Sequence, residues 1–255
     1  MKDSNRSLSL VQSRFLKKRP KVAVGHRVTA RIARTIAKTL QSVRSARAVQ
    51  ELRDRVFLRA EASRKESGKG SLVAFTGLKG KEGATTVSLL VSLGLTEMNR
   101  SRILYFDGRF DGRRFAAYKD IFELRRSSVE CGNGFSFLEC YASKGSNLCF
   151  INSPNVNSLD FFTNEEIPTL LSELKESFDY VIFDMPPMLV SSETKVFCPR
   201  ADQLYLVFSP GKTLLRDIDK CQATVAKAGG EIHGVVLNRQ KIPWWSRFFA
   251  TDSFV

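Results

Sequence analysis

Short, apolar, β-rich runs recur between residues 70 and 240 of this chain, and runs with helical spacing separate them. The β-rich runs are SLVAFTG (71–77), RILYFDG (102–108), NLCFINS (147–153), DYVIFDM (179–185), DQLYLVF (202–208) and HGVVLNR (233–239). Helical spacing occurs in VSLLVSLGLTEMNR, IPTLLSELKESF and LLRDIDKCQATVAKAG. Strands that alternate with helices indicate a parallel sheet covered on both faces. We therefore predict an α/β domain over residues 70–240 with a mostly parallel sheet; residues 109–146 are less regular and stay unassigned.

The first β-rich run leads into the loop GLKGKEGATT (77–86), and a helical run follows it. A phosphate-binding loop requires this order of strand, loop and helix, because backbone N–H groups and the helix dipole together hold an anion. Thr85 stands where such a loop places its Mg²⁺ ligand, but Ala84 stands where a lysine normally reaches the terminal phosphates. The predicted nucleotide contacts are Lys79, Gly80, Lys81, Glu82, Gly83, Ala84, Thr85 and Thr86.

Two aspartates end apolar runs. Asp107 ends RILYFD and Asp184 ends DYVIFD. The carboxyl ends of parallel strands form the edge at which open α/β sheets bind ligands. Asp107 and Asp184 are therefore predicted to lie beside the phosphate loop as candidate catalytic residues.

Four segments carry a family resemblance: the phosphate loop, ILYFDGRFDGRR, FDYVIFDMPP and the stretch from ADQLYLVF to GVVLNR. Together they resemble the bacterial tyrosine kinases of capsule and exopolysaccharide synthesis, which are part of the wider group of MinD- and ParA-like P-loop ATPases. The resemblance covers about residues 48–240 and implies the P-loop NTPase fold with ATP or ADP and Mg²⁺ as cofactors. It further implies that Thr85, Asp107 and Asp184 hold the Mg²⁺, that Lys79 reaches the nucleotide of a neighbouring subunit, and that Asn238 and Arg239 contact the base.

The sequence departs from that family at two charged positions. The loop lysine is Ala84, and the second aspartate of the motif that begins at Asp107 is Arg109. Removing one such charged group commonly slows phosphoryl transfer by about 10²–10³. Family kinases also autophosphorylate on a tyrosine-rich tail, whereas all five tyrosines here precede residue 206. We predict a degenerate family member with weak or absent kinase activity. The alternative is that Lys79 or Lys81 takes the place of the missing lysine and restores ATP turnover, so whether the chain is an active enzyme stays undecided.

The basic residues are concentrated at the N-terminal end. Residues 1–70 contain 19 of the 40 Lys and Arg residues but only 5 of the 26 acidic residues, so the remaining 185 residues are balanced at 21 of each. We interpret residues 1–25 as a flexible basic arm. Residues 26–69 are interpreted as a basic amphipathic helical extension, whose apolar stripe packs on the main domain or docks on a membrane or partner. Residues 241–255 form an aromatic tail with no assigned role.

These charges favour an anionic membrane surface as a partner. No window of about 20 apolar residues could span a bilayer and no signal peptide is evident, which predicts a cytoplasmic protein that is peripheral at the inner membrane. The resemblance implies a membrane chain-length or export protein as partner, and self-association through the helix around Glu51 to Arg59. The five cysteines show no CxxC pair, so free thiols are expected rather than a zinc site.

We therefore predict a tyrosine-kinase-like P-loop protein that regulates capsule or exopolysaccharide polymerisation or export at the inner membrane. An alternative is an active MinD- or ParA-type ATPase that positions cargo on a membrane or nucleoid, which would require nucleotide turnover. A nucleic-acid-binding arm is less favoured, because Phe15 and Phe57 are the only aromatic residues in 1–70 that could stack on bases.

Overall fold

The computed structural model describes residues 33–34, 36–38, 40, 47–98, 101–127, 138–152, 157–211 and 213–239. The predicted basic arm and the aromatic tail 241–255 lie outside these residues, as does most of the segment from 26 to 46. The structure therefore does not test the roles predicted for them.

The centre of the fold is an eight-stranded sheet. Its strands are β1 (Ser71–Gly77), β2 (Ile103–Asp107), β3 (Arg125–Arg126), β4 (Glu139–Ala142), β5 (Leu148–Asn152), β6 (Tyr180–Asp184), β7 (Gln203–Phe208) and β8 (Gly234–Leu237). Their order across the sheet is β3, β4, β5, β2, β6, β1, β7, β8. The five pairings from β5 to β8 are parallel, and only the β3–β4 and β4–β5 pairings are antiparallel. The predicted mostly parallel α/β fold is confirmed.

Helices cover both faces of this sheet. They are α1 (Arg47–Ser67), α2 (Ala84–Thr96), α3 (Gly112–Ile121), α4 (Ser158–Phe162), α5 (Ile167–Ser177), α6 (Ser192–Phe197) and α7 (Leu215–Lys227). Alternate residues of each central strand point to opposite faces. Thus Phe106 and Phe183 join the core under α4 to α7, whereas Tyr105 and Ile182 join the core under α1 to α3.

The apolar stripe that precedes α1 contacts this second core where it is described. Residues 33–34, 36–38 and 40 are helical. Leu40 is 6% exposed, and Ile36 packs beside it against the same cluster. These two members of the stripe are therefore packed on the domain rather than presented to solvent.

The stretch 109–146, which the sequence left unassigned, supplies α3 and the antiparallel edge strands β3 and β4. Asp111 begins α3 by accepting a hydrogen bond from the Arg113 N–H at 3.0 Å, as an N-cap residue does. In the part of the chain that the structure describes, no helix combines the length and the apolar character needed to cross a bilayer. The described cysteines, Cys140, Cys149, Cys198 and Cys221, form no disulfide.

Gly70 allows β1 to enter the sheet directly beside the backbone of another segment. A Cβ atom on Gly70 would overlap the carbonyl oxygen of Phe178 and lie within 3.0 Å of the carbonyl oxygens of Asp179 and Lys175. Because these are backbone atoms, Gly70→Ala is expected to lower the free energy of unfolding by about 1–3 kcal/mol or more. Urea unfolding measures this change as a shift in midpoint at unchanged slope.

Gly112→Ala is the matched control, because a Cβ atom there meets no heavy atom within 4 Å and the residue opens α3. This substitution should leave stability unchanged or raise it by up to about 1 kcal/mol. Equal stability of the two variants would show that the close approach at Gly70 is not a constraint on the fold.

Candidate functional site

The loop between β1 and α2 has the backbone of an anion-binding loop. Gly80, Lys81 and Gly83 have φ angles of 113°, 65° and 97°, all in the left-handed region. Gly83 is the N-cap of α2 and gives that helix no side-chain cap. The first N–H groups of an α-helix have no intrahelical partner, and the helix dipole makes this end positive. The start of α2 therefore presents donors to a ligand.

Glu82 folds its side chain back into this loop. Its carboxylate accepts hydrogen bonds from the N–H groups of Lys79 at 2.9 Å and Gly80 at 2.7 Å, and the residue is 6% exposed. From the other side, Asn238 Nδ2 donates to the Glu82 carbonyl at 2.8 Å and Arg239 Nη1 donates to the Lys81 carbonyl at 2.9 Å. The loop is thus held in shape from both sides. Asn238 and Arg239 lie at the loop and both donate to its backbone, and their contact with the base stays a prediction.

The two predicted carboxylates lie side by side. Asp107 and Asp184 are register partners at the ends of β2 and β6, and Asp184 is fully buried. Thr85 lies at the start of α2, and its Oγ1 donates to Asp184 Oδ2 at 2.6 Å. The structure therefore brings together the three residues predicted to hold Mg²⁺.

Two arginines occupy the space among these oxygens. Arg114 Nη1 lies 2.9 Å from Thr85 Oγ1, 3.2 Å from Asp184 Oδ2 and 3.7 Å from Asp107 Oδ2. Arg109 Nη2 lies 3.4 Å from Thr85 Oγ1 and 3.8 Å from Asp184 Oδ1. The Arg109 backbone N–H also donates to Asp107 Oδ1 at 3.1 Å. Two carboxylates and two guanidinium groups therefore form one compact, electrically balanced cluster.

The pKa values within the cluster reflect this crowding. Burial raises the pKa of Asp107 to about 6, the charge of Asp184 adds to the rise, and the two arginines oppose it. Burial alone would lower the pKa of Arg114, but Asp107 and Asp184 outweigh it and raise that pKa above its ordinary value. Arg114 is therefore a permanent cation, whereas Asp107 can gain a proton near neutral pH.

The arrangement does not fit a Mg²⁺ ion. Mg²⁺ requires oxygen ligands at about 2.0–2.1 Å in octahedral geometry. Here Thr85 Oγ1 and Asp184 Oδ2 are hydrogen-bonded to each other at 2.6 Å, Arg114 Nη1 contacts both of them, and the remaining Asp184 oxygen, Oδ1, faces Arg109. Among the residues that the structure describes, no group of three or more His, Cys, Asp or Glu side chains could hold a metal ion elsewhere.

A cavity of about 410 Å³ adjoins the cluster. Its lining comprises Ile36, Gly80, Lys81, Glu82, Gly83, Ala84, Thr85, Thr86, Arg109, Arg114 and Arg239. Most of the predicted nucleotide contacts therefore face one space. Lys79 does not, because its Nζ forms a salt bridge with Asp217 Oδ2 at 2.7 Å. That contact holds Lys79 away from the position vacated at Ala84.

A larger cavity, of about 860 Å³, lies farther along α2 and contains Leu40, Leu93 and Phe122 in its lining. The charged residues of that lining, Glu123 and Lys144, pair with each other at 2.9 Å. With its charges paired, this cavity offers no recognition chemistry comparable to that of the loop, so we assign the functional site to the smaller cavity.

Arg114 is the functional residue that sequence reasoning missed. It belongs to α3, in the stretch without clear periodicity, and no role was assigned to it. The available signal was Asp111, which is a good N-cap residue and would have begun a helix there. A helix that starts at Gly112 places Arg114 in its first turn, next to the carboxyl end of β2.

No family model matches the chain. Tyrosine-protein kinase CpsD of Streptococcus pneumoniae serotype 4 is 24% identical to it over 184 residues, which cover 68% of this chain and 78% of that protein. With the putative tyrosine-protein kinase CapB of Staphylococcus aureus the shared segment spans only 41% of the relative's length, and with CpsD of Streptococcus agalactiae it spans 86%. The predicted resemblance to bacterial tyrosine kinases of the CpsD type is therefore confirmed.

Solved structures agree on the fold. The VpsO kinase domain superposes with a TM-score of 0.57 at 20% identity, over 85% of this chain and all of that one. A plasmid partition protein from Borrelia burgdorferi, determined with bound AMPPNP, superposes with a TM-score of 0.53 at 15% identity, over 71% of this chain and 81% of that one. The predicted P-loop fold of the kinase and MinD/ParA type is confirmed.

The raised pKa of Asp107 makes stability depend on pH. Because the folded state holds the proton more tightly than the unfolded chain does, the contribution of Asp107 to the free energy of unfolding should fall as the pH rises from about 4 to about 6. Asp107→Asn mimics the protonated form, so it should stabilise the protein by about 1–3 kcal/mol at pH 7.5. The advantage should vanish near pH 4. Urea unfolding at both pH values measures it.

Asp111→Asn is the control, because this exposed neighbour caps α3 and asparagine caps a helix equally well. It should change stability little at either pH. If Asp107→Asn were less stable than the unmodified chain at pH 7.5, the arginines would hold the ionised carboxylate more strongly than burial disfavours it.

Proposed function

We propose that this chain is a nucleotide-binding, catalytically weak relative of bacterial tyrosine kinases that regulates capsule or exopolysaccharide polymerisation or export at the inner membrane. The observation that carries the proposal is the cavity at the start of α2, where a preformed phosphate loop meets two arginines but no loop lysine. Such a site favours binding of phosphate groups over transfer of a phosphoryl group.

Nucleotide binding is supported by the geometry of the loop and by charge. The unpaired amides of α2, Arg109, Arg114 and Arg239 all line one cavity. Arginine matches phosphate with paired donors, and charge-assisted hydrogen bonds are roughly twice as strong as neutral ones. A P-loop relative of this fold was determined with bound AMPPNP, which supports ATP or ADP as the ligand.

Weak catalysis is supported by the groups that the site lacks and by the state of the tyrosines. Ala84 offers no cation, and Lys79 is held by Asp217. All five tyrosines of the sequence lie in the described part of the chain. Tyr105, Tyr118, Tyr180 and Tyr205 are at most 3% exposed, and Tyr141 is half-buried with its hydroxyl on Glu139. Four of the five tyrosines are therefore inaccessible as phosphate acceptors, and the hydroxyl of the fifth is engaged by Glu139.

The membrane role is supported by charge. Residues 1–45 carry 12 Lys and Arg residues against Asp3 alone, whereas the P-loop domain is balanced. Near an anionic bilayer each basic residue contributes about 1 kcal/mol. A membrane chain-length or export protein is the partner that fits a regulator of polysaccharide synthesis at that surface. Self-association through α1 is part of the same proposal, because Arg55 and Arg59 are exposed on that helix.

The purified full-length protein is expected to bind ATP and ADP without forming phosphotyrosine. The physical reason is that the phosphate-binding groups are present, whereas the loop lysine is replaced by Ala84 and four of the five tyrosines are buried. Isothermal titration calorimetry measures the binding, and a phosphotyrosine blot after incubation with ATP measures the reaction. Robust phosphotyrosine that disappears in Asp184→Ala would contradict the proposal, and multiple-turnover ATP hydrolysis would favour the MinD- or ParA-type ATPase instead.

The Ala84→Lys variant tests the site by restoring the missing loop lysine. The substitution restores a charged contact to the phosphates at a position that lines the cavity, so ATP affinity should rise at least about tenfold, or about 1.4 kcal/mol. Ser88→Ala on the same helix is the control, because Ser88 is buried against Tyr105 and does not line the cavity. An unchanged affinity for Ala84→Lys would mean that another cation already fills the position or that phosphate does not bind there.

The basic segment is expected to bind vesicles that contain anionic lipid. Because Ile36 and Leu40 pack on the domain, attraction by Lys and Arg dominates and insertion of the apolar stripe contributes little. Binding should therefore be lost as salt rises and the charges are screened. Sedimentation with anionic and with neutral vesicles, at low and high ionic strength, measures both effects.

Deleting residues 1–32 removes nine Lys and Arg residues while leaving Ile36 and Leu40 in place, so vesicle binding should disappear without loss of the fold. A DNA shift assay at the same ionic strength tests the alternative that the basic segment binds nucleic acid. Equal pelleting with neutral lipid, or strong DNA binding with indifference to lipid charge, would defeat the membrane role.

A further inference from the structure

Arg114 occupies the meeting point of three oxygen atoms. A single nitrogen, Nη1, lies within 3.7 Å of Thr85 Oγ1, Asp184 Oδ2 and Asp107 Oδ2. These oxygens come from α2, β6 and β2, three elements that converge at the carboxyl edge of the sheet. A hydroxyl and two carboxylates are oxygen ligands of the kind that hard divalent cations select. A guanidinium therefore stands where the chemistry of the surrounding atoms favours a metal ion.

The second arginine, Arg109, faces the other carboxylate oxygen of Asp184. Arg109 Nη2 lies 3.8 Å from Asp184 Oδ1, which has no hydrogen-bond partner within the described ranges. Arg109 Nε is also buried and without a hydrogen-bond partner in the same described residues. A buried donor without a partner costs about 1–3 kcal/mol, so it is satisfied readily by an incoming acceptor. The cluster therefore has an unused hydrogen-bond donor, Arg109 Nε, next to the cavity at the phosphate loop.

We propose that Arg114 and Arg109 replace the divalent cation of this site, so that the chain binds a nucleoside polyphosphate through its phosphates as the metal-free anion. The inference rests on the proposed nucleotide binding and specifies how the phosphates are held.

The charges are consistent with this replacement. Arg114 and Arg109 together neutralise Asp107 and Asp184, which leaves the N–H groups at the start of α2 and Arg239 to attract the phosphates. The Arg114 contacts described above use only Nη1, so the planar fork keeps other N–H groups for phosphate oxygens. Both guanidinium groups line the cavity, and their side chains are 23% and 30% exposed. A ligand in the cavity can therefore reach both side chains, and their contacts with Asp107 and Asp184 hold them in place.

A metal ion would have to displace this anchor. The guanidinium is held by two carboxylates in a nearly buried place, where charged hydrogen bonds are strongest. Removing it would break the contacts of Arg114 with Asp107, Asp184 and Thr85. Free ATP carries more negative charge than its Mg²⁺ complex and therefore gains more from this site.

The test is calorimetric titration of the full-length protein with ATP and with ADP, in excess MgCl₂ and in excess EDTA. Affinity in EDTA should equal that in MgCl₂ within about threefold or exceed it, because arginine already supplies the cation. This comparison needs no substitution and does not depend on catalysis. Arg114→Met should weaken binding in EDTA at least about tenfold and make binding stronger in MgCl₂ than in EDTA.

Arg113→Met is the charge-matched control, because Arg113 is the exposed neighbour on α3 and does not line the cavity. It should retain equal binding in the two buffers. Arg114→Lys keeps the charge, so it should bind nucleotide in EDTA more strongly than Arg114→Met does. This variant also controls for loss of the fold in Arg114→Met.

Binding by the unmodified chain that requires Mg²⁺ would overturn this inference while leaving the proposed function intact. Absence of ATP and ADP binding in both buffers would overturn the proposed function and this inference with it. Equal loss of binding in Arg113→Met and Arg114→Met would also overturn the inference. It would show that the loss follows from the lower net charge of the protein and not from the position of Arg114.

Discussion

The adjacency of Asp107 and Asp184 is the constraint from which the other features of the site follow. Parallel pairing of β2 with β6 aligns the two carboxylates at the sheet edge, and one of them is fully buried. Two buried like charges are unfavourable unless cations compensate them. Arg109 and Arg114 supply that compensation, and Thr85 links the cluster to the start of α2. The phosphate loop is therefore coupled to the sheet through a charged network.

This network changes what the phosphate loop can do. In an active P-loop enzyme, mobile or exchangeable cations balance charge that develops during transfer. Here Arg109 and Arg114 are already engaged by carboxylates and Lys79 is engaged by Asp217, whereas Lys81 lines the cavity. In the proposed function these side chains hold a polyanion, and phosphoryl transfer lacks the lysine that Ala84 replaces.

The surroundings of the site are consistent with a binding role. Glu82 folds into the loop and is itself held by Asn238, so hydrogen bonds from both sides support the shape of the loop. Leu40 and Ile36 connect the basic N-terminal region to the core that supports α2, and Ile36 also lines the nucleotide cavity. A ligand in the cavity would therefore contact the segment that leads toward the basic arm. Such contact gives a physical route between nucleotide occupancy and the surface proposed to meet the membrane.

Much of the fold and part of the site could be predicted from the sequence alone, because they depend on local signals. Six apolar runs became strands, three periodic runs became helices, and the order of strand, loop and helix located the phosphate loop at residues 77–86. The positions of Asp107 and Asp184 at strand ends were sufficient to place them on one edge, since parallel strands bring their carboxyl ends together. Periodicity and strand polarity are properties of neighbouring residues, so one chain is enough to read them.

Only the tertiary structure decided how charges pair across the site. Arg114 reaches Thr85 and Asp184 because α3 begins at Asp111 and turns its first residues toward the sheet edge, in a stretch whose sequence shows no clear period. Lys79 is withdrawn from the loop by Asp217, a residue of α7 that is distant in sequence. The sequence determined which charged groups the protein has and on which elements they lie. Which of them meet was decided by packing, because the free energy of a buried ion pair depends on distances and burial that arise only when separate elements come together.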